Sequence, residues 1–299
     1  MVSATLFSFI SDMFSIIQQQ TIAFGGLNVI IVGDLAQLPP VTGSPVYKSS
    51  EWKLFYPLFL KELQRQNQDM QYYNALQEIR FGNISITTWT ILYEKENNFD
   101  HNKPLNTILN ITNIVGYNQT ANRINNIICN MLPVNEDKFL ISSAIDYIDN
   151  QQYNPDDTQK LFKKKTNLSS HLCLQQGARV MYLKNNLIDQ NIYNGTIGVI
   201  TDLDLQNLEV RIAFSVKGGI IDIGIKKETA TFMINNGKPS SRCQFPLQNA
   251  FALTVHKTQG LTLPEVSVTS LHPSTFITDK SMIEEYKRLE QKAAVPLPL

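Results

Sequence analysis

Leu27-Asn28-Val29-Ile30-Ile31-Val32 runs directly into Gly33-Asp34-Leu35-Ala36-Gln37-Leu38-Pro39-Pro40-Val41. The first six residues form an almost unbroken apolar run, the pattern of a parallel strand buried on both faces. In an open parallel sheet, functional groups sit just beyond the carboxyl ends of the strands. Asp34 and Gln37 occupy that position and are candidate site residues. The two prolines fix the backbone that follows, and a neutral amide held rigidly there can sense a phosphate or a water. The reading is an α/β fold.

On the N-terminal side, Leu6, Ile10, Met13 and Ile17 recur at helical spacing, with Phe9 and Ile16 widening the stripe. Residues 3–20 therefore read as a core-packed helix, joined to the strand by a turn at Phe24-Gly25-Gly26. On the C-terminal side, residues 51–80 read as further helix. Residues 107–115 form a β-rich run, followed by a helix through Ile124, Ile127, Ile128 and Met131. Residues 146–170 are polar and turn-rich, which marks a domain boundary, and Lys163-Lys164-Lys165 within them reads as a solvated run.

Between Leu174 and Phe232, short β-type runs at 178–183, 196–203, 208–214 and 220–225 alternate with Gly and Asn turns, the pattern of a small β-barrel or β-roll. Tyr182, Tyr193 and Phe214 within it could stack on bases, but core packing is their ordinary role. A helix and turn return at 245–262 with a strand at 266–269 behind them. A last helix carries the capping box Ser281-x-x-Glu284 and a stripe of Met282, Tyr286 and Leu289.

Composition narrows the class. The 299 residues include 26 Lys plus Arg and 26 Asp plus Glu, so no overall positive field advertises a polyanionic partner. A local groove on a neutral protein can still bind phosphates. Cys129, Cys173 and Cys243 lie far apart and the four histidines are scattered, which gives neither a disulfide framework nor a metal site. That usage fits an intracellular compartment. No apolar run approaches the ~18 residues of a membrane span, and no targeting signal is expected from the first segment.

The richest chemistry lies in Thr254-Val255-His256-Lys257-Thr258-Gln259-Gly260-Leu261-Thr262, where a cation, hydroxyls, an amide and a glycine share one turn. Such a group grips a phosphodiester through side-chain and backbone donors. Further strings stand in fixed order around it. They are Leu63-Gln64-Arg65-Gln66, Ile79-Arg80-Phe81-Gly82, Gly177-Ala178-Arg179-Val180-Met181-Tyr182-Leu183-Lys184-Asn185 and Asn194-Gly195-Thr196-Ile197-Gly198-Val199. Together with the 33–41 string, the series closely resembles the PIF (petite integration frequency) DNA helicases, the RecD-like branch of superfamily 1, from Met1 to about Ala294.

The resemblance implies an incomplete tandem of RecA-like (P-loop NTPase) domains with an SH3-like β-rich insertion. Residues 1–62 would be the C-terminal part of the first RecA-like domain, and 63–173 the first part of the second. Residues 174–243 would be the insertion (a 2B-type domain), and 244–299 the remainder of the second domain with the closing helix. The resemblance makes Gln37, with Asp34 beside it, the coupler of the γ-phosphate to DNA, and makes Arg65 an arginine reaching the nucleotide. It assigns Thr254, His256, Lys257, Thr258 and Gln259 to the DNA backbone, with Asn194 at the insertion's entry turn. It also implies ATP and Mg2+ as cofactors, single-stranded or forked DNA as partner, 5′ to 3′ polarity, a monomer, and residence in the nucleus or mitochondrion.

Departures from the family pattern bear on activity. No G-x-x-x-x-G-K-[ST] occurs, although the family's ATP site needs its amides and lysine to cradle the phosphates. The magnesium-binding Asp-Glu pair is missing; in the family it leads into Ser-Met-Val, and this chain opens Met1-Val2-Ser3. A Val-Ala-Leu-Ser-Arg segment is also absent, its place taken by Val266–Leu271 running into His272-Pro273. The expectation is a helicase fragment unable to hydrolyse ATP by itself, or alternatively a non-enzymatic single-stranded DNA-binding module derived from one.

Overall fold

Ser3 turns the first segment into a helix: its hydroxyl accepts from the Leu6 amide at 3.2 Å and caps α1 (Ala4–Ile17). The computed structural model describes residues 2–62, 69–97, 105–133, 138–234, 237–261, 263, 265–268 and 278–295. They divide into two units, residues 1–99 with 270–299, and residues 100–269.

In the first unit α1 is followed by α2 (Met70–Phe81) and α3 (Ile86–Asn97), with the closing helix Lys280–Ala293 returning to pack within it. Phe7, Phe24, Trp52 and Phe55 form an aromatic cluster with ring centroids 5.4–6.5 Å apart. Gly25 permits the tight return beneath α1. Its φ is +61°, and a Cβ there would stand 2.6 Å from the Phe14 carbonyl oxygen. The Trp52 indole donates to Glu285 at 2.7 Å, which ties the cluster to the closing helix.

Several expectations are corrected in this unit. The stripe Leu6, Met13 and Ile17 is exposed, and the buried face is the one carrying Phe7 and Ser11. Residues 27–32 are not a strand: Ile30 is 89% and Val32 85% exposed, and among the described residues no strand pairs with them. A doubly buried strand exists only between neighbours, and the described residues of this unit offer none. The 51–80 helix is broken as well. A 3-10 turn spans Glu51–Leu54, Pro57 follows in irregular chain, and α2 starts only at Met70 under the Asp69 cap.

The second unit opens with α4 (Leu105–Asn110), so only the end of the 107–115 run is extended, as β1 (Thr112–Val115). Then come α5 (Asn118–Met131), β2 (Phe139–Ser143), β3 (Ile145–Ile148), β4 (Gln151–Tyr153) and α6 (Pro155–Phe162). The boundary expected at 146–170 is absent: Asp146 is fully buried, and Asn154 caps α6. Lys163, Lys164 and Lys165 are exposed.

The β-rich region follows as β5 (His171–Gln175), β6 (Arg179–Tyr182), β7 (Ile197–Asp204), β8 (Glu209–Val216), β9 (Gly219–Lys226), β10 (Glu228–Met233) and β11 (Pro239–Gln244). After them come β12 (Leu247–Asn249), β13 (Ala252–Thr254), α7 (Val255–Thr258) and β14 (Val266–Val268); the closing helix of the first unit, Lys280–Ala293, is α8. An antiparallel sheet has the order β12-β6-β7-β8-β9, and a second has β10-β11-β3-β4. The third is parallel, β13-β1-β14.

Tyr182 and Phe214 lie in the core, packed edge to face at 6.2 Å. Gly198 is dictated by that packing, since a Cβ there would fall 2.6–2.8 Å from Ile212, Phe214 and the Ala213 carbonyl. Two polar side chains, half-buried Arg179 and buried Asn125, join the sheets. Arg179 reaches from β6 to the Leu109, Asn110 and Ala250 carbonyls and the Thr112 hydroxyl. Asn125 of α5 donates to the Asn249 and Ala252 carbonyls and accepts from the Ala252 amide at 2.7 Å. The cap of α8 is Asp279, which accepts from the Ser281 amide at 2.9 Å, two residues earlier than the sequence box implied.

Candidate nucleic-acid interface

The parallel sheet brings two carboxyl ends side by side, because Val115 of β1 is in register with Thr254 of β13. Thr254 is buried and caps α7, whose first turn exposes His256 and leaves Lys257 and Thr258 half-buried. Gln259 is exposed, and Gly260 adopts φ +82° to end the turn. The Thr258 hydroxyl donates to the Val255 carbonyl at 2.9 Å. The Lys257 ammonium turns back to the Gln248 side-chain oxygen on β12, and burial pushes its pKa below the usual lysine range. Of the polar residues in this turn, His256 and Gln259 are the exposed ones.

Asn194 joins the same surface. Its amide donates to Asn185 Oδ1 at 2.8 Å, and Gly195 with φ +100° closes the loop. A Cβ at Gly195 would stand 3.4 Å from Leu261. Leu261 packs in turn on Met181, Leu183, Ala250 and Leu253, which bonds the loop to the end of the 254–260 turn. All six residues expected at DNA thus lie in one unit, with Asn194 carried on the loop that abuts Leu261. Tyr117, directly beyond Gly116 at the end of β1, is 78% exposed and was not singled out by sequence. The logic applied to Gly33-Asp34, a glycine ending an apolar strand, would have found it.

In the first unit, Asp34 anchors a clamp. Its Oδ1 accepts from Arg80 Nη2 at 2.5 Å, the Tyr286 hydroxyl at 2.7 Å and the Ala36 amide at 3.0 Å. Gln37, exposed, places Nε2 3.5 Å from Asp34 Oδ2. Burial, and then the Asp34 carboxylate, raise the Tyr286 pKa above the usual phenol range. Arg65 lies outside the described residues. Arg80 and Tyr286 were present in the sequence strings, but their shared partner was not legible. Asp34→Asn should destabilise this unit by about 1.5–3 kcal/mol, the usual worth of charge-assisted hydrogen bonds. Urea unfolding followed by tryptophan emission reads it cleanly, since Trp52 and Trp89 both lie here.

The residues described do not fit ATP and Mg2+. The 299 residues contain no phosphate-cradling G-x-x-x-x-G-K-[ST], and the described residues hold no group of three acidic, histidine or cysteine side chains suited to a metal. Asp34 is already engaged by Arg80 and Tyr286. No helix among the described residues is long and apolar enough to cross a membrane.

A parallel β-sheet packed with α5, with the 254–260 turn beyond the carboxyl end of β13, makes the second unit an α/β arrangement. No protein-family profile matches it. The chain is 29% identical over 275 residues to the human ATP-dependent DNA helicase PIF1, a match spanning 90% of this chain and 40% of that protein. The crystal structure of Pif1 helicase from Candida albicans matches 97% of the chain at TM-score 0.79 and 23% identity, covering 75% of that structure. Bacteroides Pif1 in complex with ADP-AlF3 and ssDNA matches 97% of the chain at TM-score 0.68 and 21% identity, with 73% of that structure covered. The chain is similar in sequence to PIF-type ATP-dependent DNA helicases and shares the fold of the solved ones. It spans about two fifths of the length of that human relative.

Proposed function

We propose that the chain serves as the DNA-handling part of a PIF-type 5′–3′ DNA helicase and that its second unit holds single-stranded DNA. The strand would lie across the carboxyl ends of β1 and β13, meeting Thr254, His256, Lys257, Thr258 and Gln259, with Asn194 alongside. The observation that carries this reading is the register of Val115 with Thr254, which sets the 254–260 turn where open α/β sheets take ligands. The similarity to PIF1 helicases, and to a Bacteroides Pif1 bound to ssDNA, supports the choice of ligand. Gln37 and Arg65, with Asp34 positioning the loop, would couple nucleotide state to DNA in the complete motor, which acts in the nucleus or mitochondrion.

The 299-residue polypeptide itself should not turn over ATP, because it has no string to hold the phosphates. That favours the second reading, a binding module without catalysis, for the chain in isolation. Fluorescence anisotropy with labelled oligo(dT) at low salt should report binding, weakened several-fold by His256→Ala with Gln259→Ala. Affinity should fall steeply with salt through counterion release. Absence of binding at low salt would remove the proposal, and DNA-stimulated ATP turnover by the same preparation would contradict the inactivity.

A further inference from the structure

Beside the proposed interface, two donors converge on one half-buried carboxylate, and a phenol orients one of them. Glu228, the first residue of β10, accepts Lys184 Nζ on Oε2 at 2.5 Å and Asn186 Nδ2 on Oε1 at 3.0 Å. The Tyr182 hydroxyl stands 3.5 Å from Oε1 and donates to Asn186 Oδ1 at 2.5 Å. That second bond fixes the amide of Asn186 so that its NH2 faces the carboxylate. Burial alone would raise the Glu228 pKa, but these partners outweigh it and hold the carboxyl below its usual range. The cluster is open on one side, since the Lys184 and Glu228 side chains keep about a quarter of their surface in solvent.

An ammonium and an amide oriented by a phenol form a donor pair that recognises an oxyanion. We propose that Lys184 and Asn186, the latter held in place by Tyr182, form a phosphate-binding subsite for the backbone of single-stranded nucleic acid, filled by Glu228 until a phosphate displaces it. The subsite is continuous with the candidate interface. Lys184 follows Leu183, which packs on Leu261, and Asn185 holds the Asn194 amide. The lysine's four-carbon stem can follow a phosphate outward, while the Glu228 backbone stays paired with Gln244 in β10 and its carboxylate swings aside. Glu228 thus lowers affinity at rest, and the phosphate must compete with it.

This inference rests on the DNA-binding reading above, and two probes separate the two. The full chain is titrated with labelled oligo(dT), and separately melted in inorganic phosphate against chloride of equal ionic strength. Glu228→Ala should raise oligo(dT) affinity about tenfold, as expected for a newly available charge-assisted contact. It should also steepen the log–log salt slope by about 0.7, one phosphate's share on a single strand. Phosphate should raise the melting temperature of Glu228→Ala but not of the wild type, and adding Lys184→Met should abolish both gains. Glu228→Gln, which keeps the side chain's size, carries the test if the alanine variant fails to fold. Wild-type binding with no gain in either variant overturns the subsite and leaves the DNA reading intact. Absence of oligo(dT) binding by every protein overturns both, and a phosphate effect that survives Lys184→Met overturns the assignment of these donors.

Discussion

Arg242→Met should destabilise the second unit by about 3–5 kcal/mol, because it leaves Asp146 charged and unpaired in a dry interior. Arg242 and Asp146 are almost wholly buried and meet in a two-point bridge, Nε to Oδ1 at 2.8 Å and Nη2 to Oδ2 at 2.6 Å. The remaining donor reaches the Leu168 carbonyl at 3.1 Å, the Thr158 hydroxyl completes the carboxylate, and the guanidinium lies 5.2 Å from the Phe162 ring centre. This group joins β11 to β3 and α6, so its loss should show as lost protection of all three in hydrogen exchange. The paired variant Arg242→Met with Asp146→Leu should recover much of the loss, since replacing both charges with packed apolar groups is often near neutral. An unchanged melting temperature in the single variant would mean that the bridge contributes nothing.

Tyr117→Ala should weaken oligo(dT) binding by about 1–3 kcal/mol, the usual worth of one base stacked on an aromatic ring, with the fold intact. Tyr117 stands two residues beyond the end of β1, whose last residue is in register with Thr254, and its side chain makes no cap hydrogen bond in α5. Tyr117→Phe should retain binding, because stacking needs the face of the ring and not its hydroxyl. Equal affinity of the alanine variant and wild type would remove Tyr117 from the interface.

Much of the second unit was legible because its patterns are local. The β-type runs at 178–183, 196–203, 208–214 and 220–225 each contain a strand, bounded by the Gly and Asn turns that announced them. Helices also form over Ala4–Ile17, Asn118–Met131 and Lys280–Ala293, although α1 buries Phe7 and Ser11 and not the stripe its spacing suggested. What failed depended on partners distant in sequence. The 27–32 run has strand composition, yet strand formation needs neighbours that the described residues do not supply. Residues 146–170 looked like a linker because Asp146 reads as a surface charge, and only Arg242, far along the chain, makes its burial tolerable.

The site was read in the same uneven way. The strings located Thr254–Gln259 and Asn194, but not the internal partners of the two lysines, Gln248 for Lys257 and Glu228 for Lys184. Those partners decide which donors a ligand meets first, and only the tertiary structure reveals them. Arg80 and Tyr286, likewise, acquire their shared role only once α2 and α8 converge on Asp34.

Hydrogen–deuterium exchange of the full chain with and without saturating oligo(dT) tests the central claim most directly. The account predicts new protection at 115–118, 193–196 and 254–261, with 197–226 outside the interface unchanged. Protection confined to other segments, or none at saturating oligonucleotide, would contradict it.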